Sequence, residues 1–282
     1  IARGGGGDAD HQVLDLMRAA AAGRSIDVEG VVRGVLGDGA APVDASGLRV
    51  LSAALDRASA TGSDLLAPTG RAGMVREVID AAAQGSYPHA AELAHVLDTL
   101  RIGLDGTASD SQRLGDAVAE LMRRDPAELT PKDWSRLRAL VSADAAGALD
   151  IGRPLDGSTA WPKVLDGLAN GTHRPGTDYL RHAETWLARF DGSLNDAAAV
   201  KQEIAALVAL DPAELSPRDW ARMRVLLESE HGRAFKLADD ADITSIFSQL
   251  RSGTSAEAAA AGPFANWRMR LDGTSIDPAR LR

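Results

Sequence analysis

The residues of this chain best suited to metal binding or to acid–base catalysis are its six histidines. They are His11, His89, His95, His173, His182 and His231. No HExxH spacing occurs, which is the pattern that puts two zinc ligands on one face of a helix. His89, Glu92 and His95 follow at i, i+3 and i+6, which spreads them over about 120° of a helix surface. This spread favours an exposed polar face, and we predict neither a bound metal nor a cofactor.

Carboxylates are the second group that could hold a metal ion. Asp239, Asp240 and Asp242 form the densest acidic cluster, but the glycine and the glutamate of a calcium-binding EF-hand loop are missing around it. We interpret these residues as N-caps of a helix that begins near Ile243. Asp-Gly pairs at 105–106, 191–192 and 272–273 each follow an apolar helical pattern. We predict that their glycines end helices with a positive φ angle.

The sequence lacks the common catalytic signatures. It has no GxSxG motif and no P-loop, and the GGGG at 4–7 does not join a strand to a helix, so a dinucleotide fingerprint is excluded there. The chain has no cysteine, which excludes a thiol nucleophile and a disulfide framework. A self-contained enzyme would need an asymmetric pocket, and residues for one occur near His173, Asp178 and His182.

Arginines recur in pairs, at Arg136 and Arg138 and again at Arg222 and Arg224. A guanidinium group binds carboxylates and phosphates through forked hydrogen bonds, so one interpretation is an exposed groove that binds an acidic protein or polymer. The other interpretation is pairing within the chain. The acids close to them in sequence are Asp133, Glu128, Asp219 and Glu214. These four arginines are the candidate binding residues, and the sequence leaves both interpretations open.

The most informative pattern in the sequence is an internal repeat. VAELMRRDPAELTPKDWSRLRALV at 118–141 aligns without a gap with IAALVALDPAELSPRDWARMRVLL at 204–227, and about half of the positions are identical. The offset is about 86 residues, and VIDAAAQGS at 78–86 aligns with VLDGLANGT at 164–172 at the same offset. A repeat at a fixed spacing is typical of stacked supersecondary units.

Each well-preserved copy predicts four helices. In the copy at 108–193, apolar residues recur with helical spacing from residue 114 to residue 122, and Thr130-Pro131 starts the next helix with Asp133 in a capping box. A third helix is predicted over about 159–169 and a fourth over 177–190. Trp134 and Trp220 follow the Thr-Pro and Ser-Pro helix starts and are predicted to be buried at equivalent positions.

These observations predict an all-α fold, arranged as a helical repeat array with about four helices per unit of about 86 residues and solenoid-like stacking of helical hairpins. We expect a flexible linker over 1–10, a degenerate first unit over 11–107, a second unit over 108–193, a third unit over 194–274 and the start of a truncated further unit over 275–282. The incomplete units at both ends indicate a piece of a longer protein.

Composition restricts the function. A net charge of −9 and a pI near 5.2 argue against nucleic acid as a partner. No apolar run approaches the roughly 18 residues of a membrane span. We expect a non-catalytic helical repeat module for protein–protein interaction or scaffolding. The alternative is a helical accessory domain of a larger enzyme that is secreted or displayed at a surface.

Overall fold

The structure of the protein is a computed structural model. The structure describes residues 15, 18, 22, 27–37, 43–62, 65–66, 72–87, 89–144, 149, 151, 161–172, 177–235, 237 and 257–271. Within these residues every regular element is a helix and there is no strand, which confirms the prediction of an all-α fold. The predictions for residues 1–10, 239–242, 272–273 and 275–282 lie outside the described part.

Twelve α-helices occur in the described residues. In chain order they are α1 (Val28–Leu36), α2 (Ala45–Ala60), α3 (Ala72–Ala83), α4 (Ala90–Leu104), α5 (Ser111–Arg123), α6 (Pro131–Ala143), α7 (Trp161–Ala169), α8 (Thr177–Phe190), α9 (Ala197–Ala209), α10 (Pro217–Glu228), α11 (Glu230–Ala234) and α12 (Glu257–Leu271). Short 3₁₀ turns at Thr107–Ser109 and Pro212–Glu214 precede α5 and α10. None of these helices has the length and apolar character that crossing a membrane requires.

The chain divides into two compact units, one with α1–α7 and one with α8–α12. The division therefore falls between α7 and α8, inside the stretch 108–193 that the sequence predicts as one repeat unit. The physical reason is that α8 packs most extensively on α10, which follows it in the chain. Stacking of the repeat units into a solenoid stays a prediction.

In the first unit, α1 packs on α2 and α4, and α3 packs on α2 and α4. Helix α6 is central to the second half of this unit, because α4, α5 and α7 all contact it. An aliphatic core holds the first four helices together, because the burial of apolar side chains is the main favourable term in folding. The fully buried members of this core include Val32, Val50, Leu51, Ile79, Val96 and Leu100.

In the second unit, α8 and α9 both contact α10, and α12 packs on α9. The core here is more aromatic, since Trp220 of α10 lies beside Phe264, which stacks on Trp267 in α12. Ring centroids of Trp220 and Phe264 are 5.5 Å apart. The contacts of α8 and α9 with α10 correspond to those of α4 and α5 with α6.

Helices α6 and α10 both begin with a capping box. The hydroxyl of Thr130 accepts a hydrogen bond from the backbone N–H of Asp133 at 3.3 Å, and the Asp133 carboxylate accepts one from the N–H of Thr130 at 2.8 Å. Ser216 and Asp219 form the same capping box at 3.2 and 2.8 Å. A proline at N1 follows each cap. The predicted helix starts are confirmed.

The Asp-Gly pairs end helices α4 and α8, as predicted. Gly106 has φ 80° and Gly192 has φ 82°, in the left-handed region where a side chain would be strained. The apolar faces are confirmed as well. Trp134 exposes 4% and Trp220 exposes 6% of its surface, and both lie on the buried side of their helices.

Replacing either tryptophan by alanine should lower the free energy of unfolding by about 3–5 kcal/mol, because a large buried side chain is removed and a cavity remains. Urea unfolding followed by far-UV circular dichroism would measure the loss. Lys201→Ala, on the exposed surface of α9, is the matched control and should leave the midpoint nearly unchanged. An unchanged midpoint in both tryptophan variants would contradict the buried positions.

Candidate functional site

The histidines of α4 do not form the exposed face that the sequence predicts. His89 caps the helix and is exposed, but His95 exposes only 3% of its surface, so the prediction is wrong at His95. The reason is that α1, α3 and α6 all pack on α4. Among the described residues, no group of three or more His, Asp and Glu side chains has positions that suit a metal ion.

The pocket suggested near His173, Asp178 and His182 involves residues beyond the described part. His173 and the side chain of Asp178 lie outside it, whereas His182 is half-buried on α8. A catalytic centre at this place therefore stays a prediction from the sequence.

Three of the four candidate arginines, Arg138, Arg222 and Arg224, pair within their own unit. Arg138 contacts the carboxylate of Asp166 on α7, and Nε of Arg224 donates to Glu228 at 2.8 Å. Pairing within the chain is thus found, but with acids other than Asp133, Glu128, Asp219 and Glu214. Asp133, for example, is engaged in the capping box of α6 and in a hydrogen bond from Arg124.

Arg222 lies inside the second unit, so of the two interpretations that the sequence left open, pairing within the chain applies to it. Its Nε and Nη2 donate to the two carboxylate oxygens of Glu203 at 2.8 and 3.2 Å. Nη2 also donates to Asp191 at 2.7 Å and to the hydroxyl of Ser193 at 2.8 Å. Nη1 lies 3.6 Å from a carboxylate oxygen of Glu184. Acids on α8, on α9 and in the turn between them therefore enclose the guanidinium.

The carboxylates around Arg222 have different electrostatic environments. Burial raises the pKa of Glu184, because the charges of Arg218 and Arg222 offset only part of the lost hydration. Burial also acts to raise the pKa of Asp191, but hydrogen bonds from Ser193 and Arg222 outweigh it and hold this pKa below its ordinary value. Asp191 therefore keeps its charge to lower pH than Glu184.

Arg136 is the counterpart of Arg222 in the first unit, 86 positions earlier. The helix bounds agree with this correspondence, since α5 and α6 begin 86 residues before α9 and α10. Arg136 is half-buried, and no group in the described part of the chain forms a hydrogen bond or an ion pair with it. The same position thus carries an enclosed arginine in one unit and an available arginine in the other.

Arg136 lines a cavity of about 240 Å³ together with residues of α1 and α4. Two more arginines lie on the wall. Arg101 is fixed, because its Nε and Nη2 donate to the carbonyl oxygen of Leu36 at 3.1 and 2.8 Å. Arg33 donates to Glu29 at 2.6 Å and also contacts the carbonyl oxygen of Leu104. The remaining wall is formed by Leu36, Gly37, Leu104 and Asp105.

One sequence difference removes the main partner of Arg136. Glu203, which binds Arg222 through both oxygens, corresponds to Ala117 in the first unit. Both positions are half-buried on equivalent helices. An alanine has no acceptor, so the forked donor of Arg136 is left without the carboxylate that its counterpart has.

A second sequence difference provides a partner for the other acid near Arg136. Glu184 corresponds to Asp98, and Leu187 corresponds to Arg101. Asp98 is buried and accepts a hydrogen bond from Nη1 of Arg101 at 2.7 Å. Burial raises the pKa of Asp98, and the hydrogen bond from Arg101 opposes this only in part. Arg101 therefore binds this acid directly, whereas Arg136 interacts with it only through its charge.

The sequence alone did not point to Arg33 or Arg101, since neither lies in the well-aligned block at 118–141. A signal for Arg101 was present, because an arginine replaces the apolar Leu187 of the other copy. Arg33 has no such signal and reaches the cavity only because α1 packs on α4. Together with Arg136, these arginines line one small cavity, with Asp105 on the same wall.

Replacing Arg222 by methionine should lower the free energy of unfolding by about 3 kcal/mol. This is near the low end for removing one partner of a buried ion pair, because Asp191 and Glu203 are partly exposed and can be hydrated. Arg136→Met is the matched control, and it should cost about 1 kcal/mol or less since no ion pair is lost. Urea unfolding of both variants would measure the difference, and equal losses would contradict it.

Glu184→Gln should change how stability depends on pH. The folded-state pKa of Glu184 is above its unfolded value, so just above the ordinary glutamate pKa the folded state binds more protons, and the free energy of unfolding falls as pH rises. The variant should remove this fall. Asp191 acts in the opposite sense and loses its contribution as pH decreases. Urea unfolding across this range, with Glu120→Gln on the surface of α5 as control, tests it; identical pH profiles for Glu184→Gln and wild type would refute it.

Comparison with protein-family models, with curated proteins and with solved structures finds no match to this chain. The chemistry of the candidate site is therefore defined by the residues of the chain itself. In the first unit the site has Arg136, which forms no ion pair in the described residues. In the second unit the equivalent residue, Arg222, is paired with carboxylates.

Proposed function

We propose that this chain is a non-catalytic helical repeat module that binds an acidic protein partner. The observation that carries the proposal is the state of Arg136. A half-buried guanidinium is held on a rigid helix at the wall of a cavity without an ion-pair partner in the described residues. Such a group is desolvated in part and interacts with Asp98 only through its charge, and an anionic ligand would supply a direct interaction.

The repeated residues support a scaffold rather than a catalyst. The positions that the two copies share most closely form the capping boxes at Thr130 and Ser216 and bury Trp134 and Trp220. Their role is to fix helix ends and cores. Rigid helices present side chains in defined directions, which lowers the conformational entropy lost on binding.

Of the four arginines that the sequence suggested for recognition, three are engaged within the chain. Arg138 and Arg224 pair with Asp166 and Glu228, and Arg222 is enclosed. Recognition through all four arginines along a stack would require breaking these pairs. The proposal therefore places recognition at Arg136 in the first unit, with Arg33 and Arg101 beside it.

An acidic partner must approach a chain with a net charge of −9. At an ionic strength of about 0.15 M the Debye length is about 8 Å, so repulsion between distant charges is largely screened. A contact inside a partly buried cavity is screened less. Local complementarity at Arg136 can therefore decide binding at physiological salt, while the net charge of the chain limits unspecific association.

A short fluorescent peptide of alternating Glu and Leu should bind the protein at about 0.15 M salt, measured by fluorescence anisotropy. The same peptide with Gln in place of Glu should bind at least about tenfold more weakly, which corresponds to about 1.4 kcal/mol. Arg136→Met should weaken binding of the Glu peptide, whereas Lys132→Met, exposed on the same helix, should not. Equal affinity for both peptides, or no binding of either, would refute the proposed function.

A further inference from the structure

In the second unit, the arginine at this position binds a carboxylate of its own chain. Arg222 takes the Glu203 carboxylate through Nε and Nη2 at 2.8 and 3.2 Å, a forked contact with both oxygens. The carboxylate comes from the helix that precedes the arginine helix. In the first unit the corresponding residue is Ala117, and the arginine lines a cavity instead.

We infer that the cavity in the first unit is a carboxylate-binding site, in which an acidic side chain of the partner binds Arg136 as Glu203 binds Arg222. The inference rests on the proposed function only for the molecule that carries the carboxylate, which is the acidic protein partner. The site itself is argued from the two units of this chain. Arg136 is the binding residue, and Arg33 and Arg101 line the cavity next to it.

The hydrogen-bond donors around the cavity leave Arg136 as the arginine that can bind a carboxylate. Arg33 is paired with Glu29, and Arg101 is paired with Asp98, so both of these guanidinium charges are already compensated. Arg136 adds one positive charge that no ion pair in the described residues compensates. Asp105 on the same wall accepts a hydrogen bond from the backbone N–H of Thr107, so the forked donors of Arg136 can still bind one carboxylate.

A phosphate dianion fits the cavity less well. It would bring a second negative charge into a wall that already carries Asp105. Like charges at short range disfavour binding, and Arg33 and Arg101 are already committed to their own acids. Leu36 and Leu104 on the same wall suit the methylene groups of a glutamate or aspartate side chain.

The site can be tested with glutarate, whose carboxylates resemble that of a glutamate side chain. Arginine Nε–H resonances of the ¹⁵N-labelled full chain would be followed by NMR as glutarate is added, and inorganic phosphate would be titrated in parallel. We expect the Arg136 resonance to shift, with a millimolar dissociation constant for one charge-assisted contact. The Arg222 resonance should stay unchanged, because this guanidinium is already enclosed.

Ala117→Glu converts the first unit to the arrangement of the second and is the decisive variant. The new carboxylate should pair with Arg136 and weaken glutarate binding at least about tenfold, while the thermal midpoint stays the same or rises. Ala117→Gln has nearly the same size without the charge, and it should weaken binding clearly less. Arg136→Met should remove the glutarate response.

Three results would overturn the inference. Glutarate shifts that persist in both Ala117→Glu and Arg136→Met would place the ligand elsewhere. Phosphate binding at Arg136 without glutarate binding would make the cavity a phosphate site. Failure of glutarate to shift Arg136 at all would exclude the carboxylate site. Glutarate binding at Arg136 together with failure of the Glu peptide would instead refute the proposed function and leave the carboxylate site standing.

Discussion

The start of helix α6, repeated in α10, is the constraint on which the candidate site depends. The capping boxes at Thr130 and Ser216 fix where each helix begins, and the beginning fixes the direction of every later side chain. Residues two positions apart on an α-helix point about 200° apart. Trp134 and Arg136 therefore lie on nearly opposite sides of α6, and both can be engaged because other helices cover α6 on several sides.

The arginine at this position is enclosed in the second unit and partly accessible in the first, because a buried charge must be compensated by opposite charges. In the second unit, three carboxylates and a hydroxyl surround Arg222, and the group can be enclosed. In the first unit, Ala117 removes one carboxylate, and Arg101 binds another. Arg136 then stays at the wall of a cavity, where it is in part accessible. These sequence differences accompany the change from an enclosed arginine in the second unit to an arginine at a cavity wall in the first.

Local patterns predicted the helices well. The capping residues, the apolar spacing of 3.6 and the glycines after Asp105 and Asp191 gave helix starts, buried faces and helix ends that the structure confirms. The prediction was wrong at His95, where a helix is covered on several sides. His95 and Arg222 are buried because neighbouring helices reach faces that a single amphipathic helix would leave in solvent.

The sequence by itself determined the all-α class, the positions of the capped helices, the buried tryptophans and the absence of cysteine chemistry, because each of these depends on residues close together in the chain. Only the tertiary structure decided the partners of the arginines. Glu203 and Glu184 lie on other helices than Arg222, and Arg33 meets the cavity wall from α1. Ion pairs are selected by distance in space and by the cost of desolvation, and neither can be read from spacing along one helix.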